Sequence, residues 1–414
     1  MRVERERRRP AIGTIERRKH RPDYWLPLIA TALLSIGLVV VYAISPGVSI
    51  QRNVSEAYYV SKQLLAIALG IIAFIVLSKV PYKWWRSMTK PLIIASIIVA
   101  LIVQLFGSRV NGAYRWIQIG GVSFQAAELI KFAFLVWLAD LLASVRQNGR
   151  LNDAVTTLKP LGIALGAIVV VVGFIESDLG STAVMVGMAC AMIFVAGMPL
   201  KRLMLIGASL AIAATLLISA IPYRRQRLMT FLNPTANCQT TGFQSCQALI
   251  AIGSGGMFGL GLGHSVQAYG YLPEATNDSI FAILAEKFGF IGMALILAAY
   301  AVFFGRIARI SERAPDDFSR FLVVGILAWF SVQATINIGA MLGLLPLKGI
   351  TLPFISYGGT SLLFVTGALG IVFQISRYSS YGAENNQTGE ARYEDSAYRR
   401  GERRTYYTAV RRRS

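Results

Sequence analysis

An all-α, polytopic membrane bundle of about ten transmembrane helices is the fold this sequence predicts, and three observations predict it. Apolar residues fill 55% of the 414 positions and charged residues only 15%, with a mean hydropathy of +0.54; a soluble domain of that size needs more polar surface. Ten apolar runs recur along the chain, each near the roughly 20 residues that cross a bilayer at about 1.5 Å rise per residue. Basic residues crowd into alternate loops between those runs, as expected of loops that stay on the cytoplasmic side.

The elements follow in order. Residues 1–23 form a basic tail, expected to be cytoplasmic. The first run, 25–44, is long and has no small-residue cleavage site behind it, so it reads as a retained helix rather than a secretory signal. The remaining runs fall at 60–78, 91–107, 124–143, 160–176, 179–197, 202–221, 279–305, 319–343 and 353–376. A transmembrane domain thus occupies 24–378 and carries one large extracytoplasmic loop, 222–278, between the seventh and eighth runs. The tail 379–414 mixes charges and is rich in arginine, the composition of a disordered cytoplasmic segment.

The net charge of +20 invites a nucleic-acid reading. Its distribution argues otherwise: Lys79, Lys83, Arg86 and Lys90, then Arg146, Arg150 and Lys159, then Arg306, Arg309 and Arg313 sit in loops of one parity. Topology accounts for the charge, and the expected surroundings are a membrane rather than nucleic acid. HExxH, CxxC and P-loop patterns are absent from the sequence, which speaks against an ATP motor and a structural zinc site. Cys190 reads as mid-helix packing. Cys238 and Cys246 share the outer loop, where a bridge and two separate thiols are both open readings.

Acids inside or at the lip of apolar runs carry the functional signal, because a bilayer tolerates them poorly without a task. Asp278 stands where the outer loop enters the eighth run. Glu128 and Lys131 lie three apart on one helix face, as an internal pair or as a substrate contact. Asp178, followed by Leu179, Gly180 and Ser181, has the pattern of a helix N-cap. Arg224 and Arg225 open the outer loop against the charge bias, and Arg115 and Lys348 also face outward; outer cations suit an anionic head group. The stretch Ala248–Ile252 followed by glycines reads as a short apolar helix and a glycine-rich turn, too short to span.

Several segments, in order, resemble the SEDS family of membrane glycosyltransferases. They are Asn111–Trp116, Phe124–Lys131, Asp178–Gly180, Arg224–Pro234, Ile252–Gly256, Leu272–Asp278 and Gly343–Gly359. The resemblance runs from the first helix to about Arg377 and leaves out both tails. Lys348–Pro353 and Gly261–Gln267 resemble the division branch of that family more than its elongation branch. The resemblance implies polymerisation of lipid II into glycan strands at the outer face, with a catalytic aspartate falling on Asp278. It also implies a class B penicillin-binding protein and other divisome proteins as partners. On that reading Arg115, Arg224, Arg225 and Lys348 hold the pyrophosphate, Glu128, Lys131 and Asp178 line the substrate region, and Mg²⁺ or Mn²⁺ has room beside the phosphates. The chain departs from the family pattern at three places: Thr276-Asn277 stands where histidine-threonine is common, Ala126-Ala127 replaces proline-serine, and Ser177 replaces a usual proline. A lipid II transporter and a non-enzymatic scaffold are the rival readings.

Overall fold

A computed structural model of the chain describes residues 17–19, 21–110, 113–119, 122–205, 207–209, 229, 231, 238–240 and 242–380. Helices dominate: α1 (Trp25–Gln51), α2 (Tyr58–Leu77), a short α3 (Tyr82–Ser87), α4 (Thr89–Phe106) and α5 (Ala126–Gln147). A mixed α and π helix, α6 (Ala154–Ile175), follows, then α7 (Leu179–Ala196). Within the long loop lies α8 (Phe243–Ser254), and beyond it come α9 (Ile280–Glu312), α10 (Asp317–Met341) and α11 (Gly359–Ile375).

Seven of the described helices are long and apolar enough to cross a bilayer. The α5 helix has the length and carries the charged pair, and α11 is apolar but only 17 residues long. Together they match nine of the ten predicted runs; most of the run at 202–221 lies outside the described residues. α2 and α4 leave Ile71, Ile72, Ile94, Ile97, Ile98 and Leu101 exposed, the face of a helix that meets lipid. α10 lies at the other extreme, 67% buried along its most apolar stretch, and packs against α5, α7 and α9. It is the post around which the bundle closes.

The chain is not purely helical. Strands β2 (Ser108–Val110), β3 (Ala113–Ile119) and β4 (Val122–Gln125) form an antiparallel sheet on the loop between α4 and α5, and β1 (Arg17–Lys19) pairs with β5 (Tyr378–Ser380). The β3–β4 register sets Trp116 opposite Gln125. This sheet corrects the all-helical expectation locally; its strands are too short and glycine-interrupted to leave a clear alternating pattern.

The two ends of the bundle differ in chemistry. At one end Arg86 pairs with Asp140 (2.7 Å), Arg146 with Asp317 (3.7 Å) and Arg306 with Asp23 (3.5 Å). That end gathers the basic loops. Asp278, Asp178, Arg115 and Lys348 lie in the loops of the opposite end.

On that second end the outer loop folds back on α9. Gly289 breaks the helix with φ +65°, and the freed backbone groups are met by the glycine-rich strip. Phe290 N donates to Gly256 O (2.9 Å), and Leu260 N donates to Glu286 O (2.9 Å). A side-chain carbon on Gly259 or Gly289 would collide with the facing backbone, so both positions need glycine. Buried Glu286 pins the following turn by accepting from Val266 N (3.0 Å), Gln267 N (3.2 Å) and the Ser265 hydroxyl. Cys238 and Cys246 form a disulfide that ties the loop to α8, which resolves the open cysteine reading.

Candidate active site

The turn Leu272–Ser279 is held in place by its own backbone. Asn277 N and Ser279 N both donate to Glu274 O, at 3.0 and 3.1 Å, and Glu274 takes φ +51° to allow it. Three successive carbonyls of this turn are then gripped from two neighbouring segments, the 356–357 strip before α11 and the helix α10. Tyr357 N donates to Thr276 O (2.9 Å), the Ser356 hydroxyl to Asn277 O (2.7 Å), and Asn337 Nδ2 to Asp278 O (2.8 Å). The result is a half-buried Asp278 with a fixed backbone at the mouth of α9. Asn277 Nδ2 donates to Glu274 Oε2 (2.6 Å), so the residues standing where the family carries histidine-threonine are used in the turn itself.

Lys348 and Gly349 run beside this turn. A side-chain carbon on Gly349 would lie 3.2 Å from Asp278 Oδ2, so glycine keeps the carboxylate approachable there. Asn337 ties the two strips together, since the same amide nitrogen donates to Ile350 O (2.7 Å). Ile350 in turn packs on Gly180, where an added carbon would come within 2.5 Å of its side chain. The Asp278 turn, the 348–351 strip and the start of α7 are therefore one packed unit.

Asp178 caps α7 as its sequence pattern predicts, accepting from Ser181 N (2.9 Å) and the Ser181 hydroxyl (2.8 Å). It also accepts from Gln125 Nε2 at 3.2 Å, which links the cap to the end of β4. Arg115, on β3, donates from Nε to Glu176 O (2.6 Å) and from Nη2 to Ser177 O (2.8 Å). Its guanidinium braces the 176–178 turn, where Ser177 sits at φ +53°. A proline there is impossible at that angle, because its ring fixes φ near −65°. The departure at Ser177 thus has a conformational meaning.

Glu176 gave no functional signal in the sequence. It lies just past the end of α6 and is 3% exposed. Burial pushes its carboxyl up to about 8, helped by the neighbouring Asp178 charge and opposed by Arg115. Its Oε1 has no hydrogen-bond partner among the described residues.

Glu128 and Lys131 form a closed internal pair at 2.9 Å, both nearly inaccessible. Lys131 also donates to Gln333 Oε1 (3.4 Å), and Trp329 Nε1 donates to the same oxygen (2.8 Å). Gln333 Nε2 then reaches Thr351 O at 2.9 Å. The buried pair is connected in this way to the strip that flanks Asp278. Gln333 and Asn337 were missed in the sequence; two side-chain amides four apart in an apolar run are the signal that could have found them.

Arg224 and Arg225 lie outside the described residues. Among the described residues no three His, Cys, Asp or Glu side chains converge as a metal cage would require.

The fold and site define a class: a multi-pass helical membrane protein, one end of which presents a braced aspartate among polar side chains. Comparison with known proteins places it within that class. A cell-cycle protein family model covering FtsW, RodA and SpoVE matches residues 24–381, and the chain belongs to that family. It is 38% identical to stage V sporulation protein E of Bacillus subtilis, over 88% of this chain and 99% of that one. It is 37% identical to a probable peptidoglycan glycosyltransferase FtsW of Saccharophagus degradans, over 89% and 95% of the two chains. A solved structure described as a peptidoglycan synthase complex that coordinates polymerization and crosslinking superposes with a TM-score of 0.72, at 25% identity, covering 86% of this chain and 98% of its counterpart.

Proposed function

We propose that the protein is a peptidoglycan glycosyltransferase that polymerises lipid II at the outer face of the cytoplasmic membrane, with Asp278 as general base. One observation carries this reading: three consecutive carbonyls, at residues 276, 277 and 278, are each held by a separate donor. Such bracing fixes a catalytic group in place before substrate arrives, the arrangement positional catalysis needs. A residue serving only as a helix cap needs none of it.

In the proposed step the hydroxyl oxygen of the acceptor sugar attacks the anomeric carbon of the donor. The bond from that carbon to the pyrophosphate oxygen breaks, and the polyprenyl pyrophosphate leaves with the bonding pair. Asp278 takes the hydroxyl proton, so the anomeric centre inverts and no covalent enzyme intermediate forms. Lys348, from beside Asp278, and Arg224 and Arg225 of the outer loop supply the cations that stabilise the leaving pyrophosphate. Mg²⁺ or Mn²⁺ carried in by the phosphates would add charge on the same side. Arg115 acts at one remove by shaping the 176–178 turn. Glu128, Lys131 and Asp178 support the strips on either side of the aspartate.

Both termini are proposed to be cytoplasmic, since the basic loops gather at the end opposite the site. The relatives in sporulation and division favour work at a septum, alongside a class B penicillin-binding protein and other divisome proteins. A lipid II transporter would also hold polar groups in a membrane protein, but its acid would be expected near the midplane rather than at the outer mouth. Purified protein given labelled lipid II in detergent, with and without the transpeptidase, separates the readings. Lengthening glycan in the absence of any two-sided membrane supports the polymerase; lipid movement across vesicles without lengthening supports the transporter; neither activity supports a scaffold.

A further inference from the structure

Between the end of α1, the start of α2 and the Asp278 turn lies a cavity of about 490 Å³. Its size falls within the about 300–1,000 Å³ of small-ligand sites. Gln51, Arg52 and Tyr58 line one side, and Glu274, Thr276 and Asn277 line the other. Asn277 is the residue before Asp278, about 3.8 Å away along the backbone. The cavity therefore shares a wall with the proposed catalytic turn.

Its lining chemistry is specific. The one arginine and the one carboxylate among the lining residues pair with each other, Arg52 Nη2 to Glu274 Oε1 at 3.1 Å. The guanidinium is thereby partly neutralised, which makes the space a poor receptor for a free pyrophosphate. Side-chain amides and phenols make it a poor receptor for a lipid tail. Tyr59 stands edge-to-face with Tyr58 (5.3 Å, 84°) and with Tyr357 (5.6 Å, 70°), giving the wall a cluster of rings with hydroxyl groups. Burial pushes the Tyr357 phenol up to about 12, so it stays neutral at working pH. Just behind the wall the Lys62 ammonium donates to the Tyr58 hydroxyl (2.7 Å) and lies 4.3 Å from its ring centroid, while the lining itself offers amides, neutral phenols and ring edges, which suit the polar rim and apolar face of an uncharged, hydroxyl-rich ring.

We propose that this cavity is a sugar subsite holding an uncharged pyranose of the glycan, one that adjoins the ring being joined at Asp278. The inference rests on the polymerase reading for the identity of the glycan, and on the cavity alone for its chemical class.

The test uses the full-length chain in detergent, made catalytically silent by Asp278→Asn, with a soluble N-acetylglucosamine tetramer as the probe and inorganic pyrophosphate as the contrast. Saturation-transfer NMR and a titration should show the tetramer binding. Tyr58→Ala and the cavity-filling Val54→Trp should each weaken that binding about tenfold, the loss of one good hydrogen bond with its ring contact. Both variants are scored only where gel filtration and thermal unfolding match the parent; their residues approach the cavity from different segments, and Gln51→Ala replaces either that fails to fold. Tetramer binding that is absent, or unchanged in folded variants, overturns the subsite. Pyrophosphate binding that disappears in the same variants overturns it in favour of a phosphate site. A protein that binds the tetramer in this cavity but, with Asp278 restored, does not lengthen lipid II supports the subsite and sinks the polymerase reading instead.

Discussion

The side-chain amide of Asn337 holds Asp278 by its backbone: Nδ2 lies 2.8 Å from the Asp278 carbonyl and 2.7 Å from that of Ile350. One buried nitrogen thus sets the spacing between the turn that carries the acid and the strip that carries Lys348. Replacing it by Asn337→Leu keeps the volume and removes both bonds. Leaving a buried acceptor unsatisfied costs about 1–3 kcal/mol, so thermal stability should fall by that order. Turnover should fall more than KM rises, because the loss is in the placement of the base rather than in substrate contact. A rise in KM alone would assign Asn337 to substrate binding.

Ser177 offers a test of the backbone. Ser177→Pro would impose a φ near −65°, which the φ of +53° at this position forbids. The substitution should destabilise the protein by more than about 1 kcal/mol and loosen the Arg115 brace, whereas Ser177→Gly should be neutral or slightly stabilising, since it removes a left-handed penalty of about 1–2 kcal/mol against glycine's entropic cost of roughly 0.5–1 kcal/mol. Melting temperatures of the two variants moving in the same direction would contradict the turn geometry.

Glu176 makes stability depend on pH. Its carboxyl ordinarily titrates near 4.5 and is raised to about 8 in the folded protein. Between those values the folded state holds a proton that the unfolded state has released, so stability should decline as pH rises from about 4.5 to about 8 and then level off. Glu176→Gln removes this dependence and should raise stability at pH 8. The comparison of melting temperature against pH for the two proteins checks it; parallel curves would mean the acid is ionised in the fold.

Much of the architecture was legible in the sequence because hydropathy and loop charge report directly on the bilayer. Nine predicted runs coincide with described helices, and the Asp178 cap was visible because an acid followed three residues later by Ser181 satisfies a known local pattern. Less visible were features that depend on distant partners. The role of Asn337 is set 59 residues from Asp278. Glu176 has no sequence pattern of its own, since nothing local says that it is buried beside Asp178 and Arg115. The small sheet before α5 left no alternation long enough to read. Arg115 looked like a cation waiting for an anion, and it is bonded to the backbone of a neighbouring turn.

The Glu128–Lys131 pair distinguishes support from substrate contact. Removing one member of a buried pair leaves an uncompensated charge at a cost of about 3–5 kcal/mol. Lys131→Met should therefore be severely destabilised, and adding Glu128→Leu should recover much of that loss. Lipid II turnover should recover together with stability in the double variant. A stable double variant without activity would place the pair in the substrate path.

The account depends most on Asp278, and a single substitution tests it. Asp278→Asn keeps size and backbone contacts but removes the basic oxygen. Strand synthesis from labelled lipid II, measured on protein shown to be folded and membrane-inserted, should fall by about 10²–10⁴. If Asp278 only shapes the turn that leads to Ser279, the N-cap of α9, asparagine keeps the same backbone contacts and synthesis should persist. Near-normal glycan lengths from the folded Asp278→Asn protein would contradict the assignment of the base.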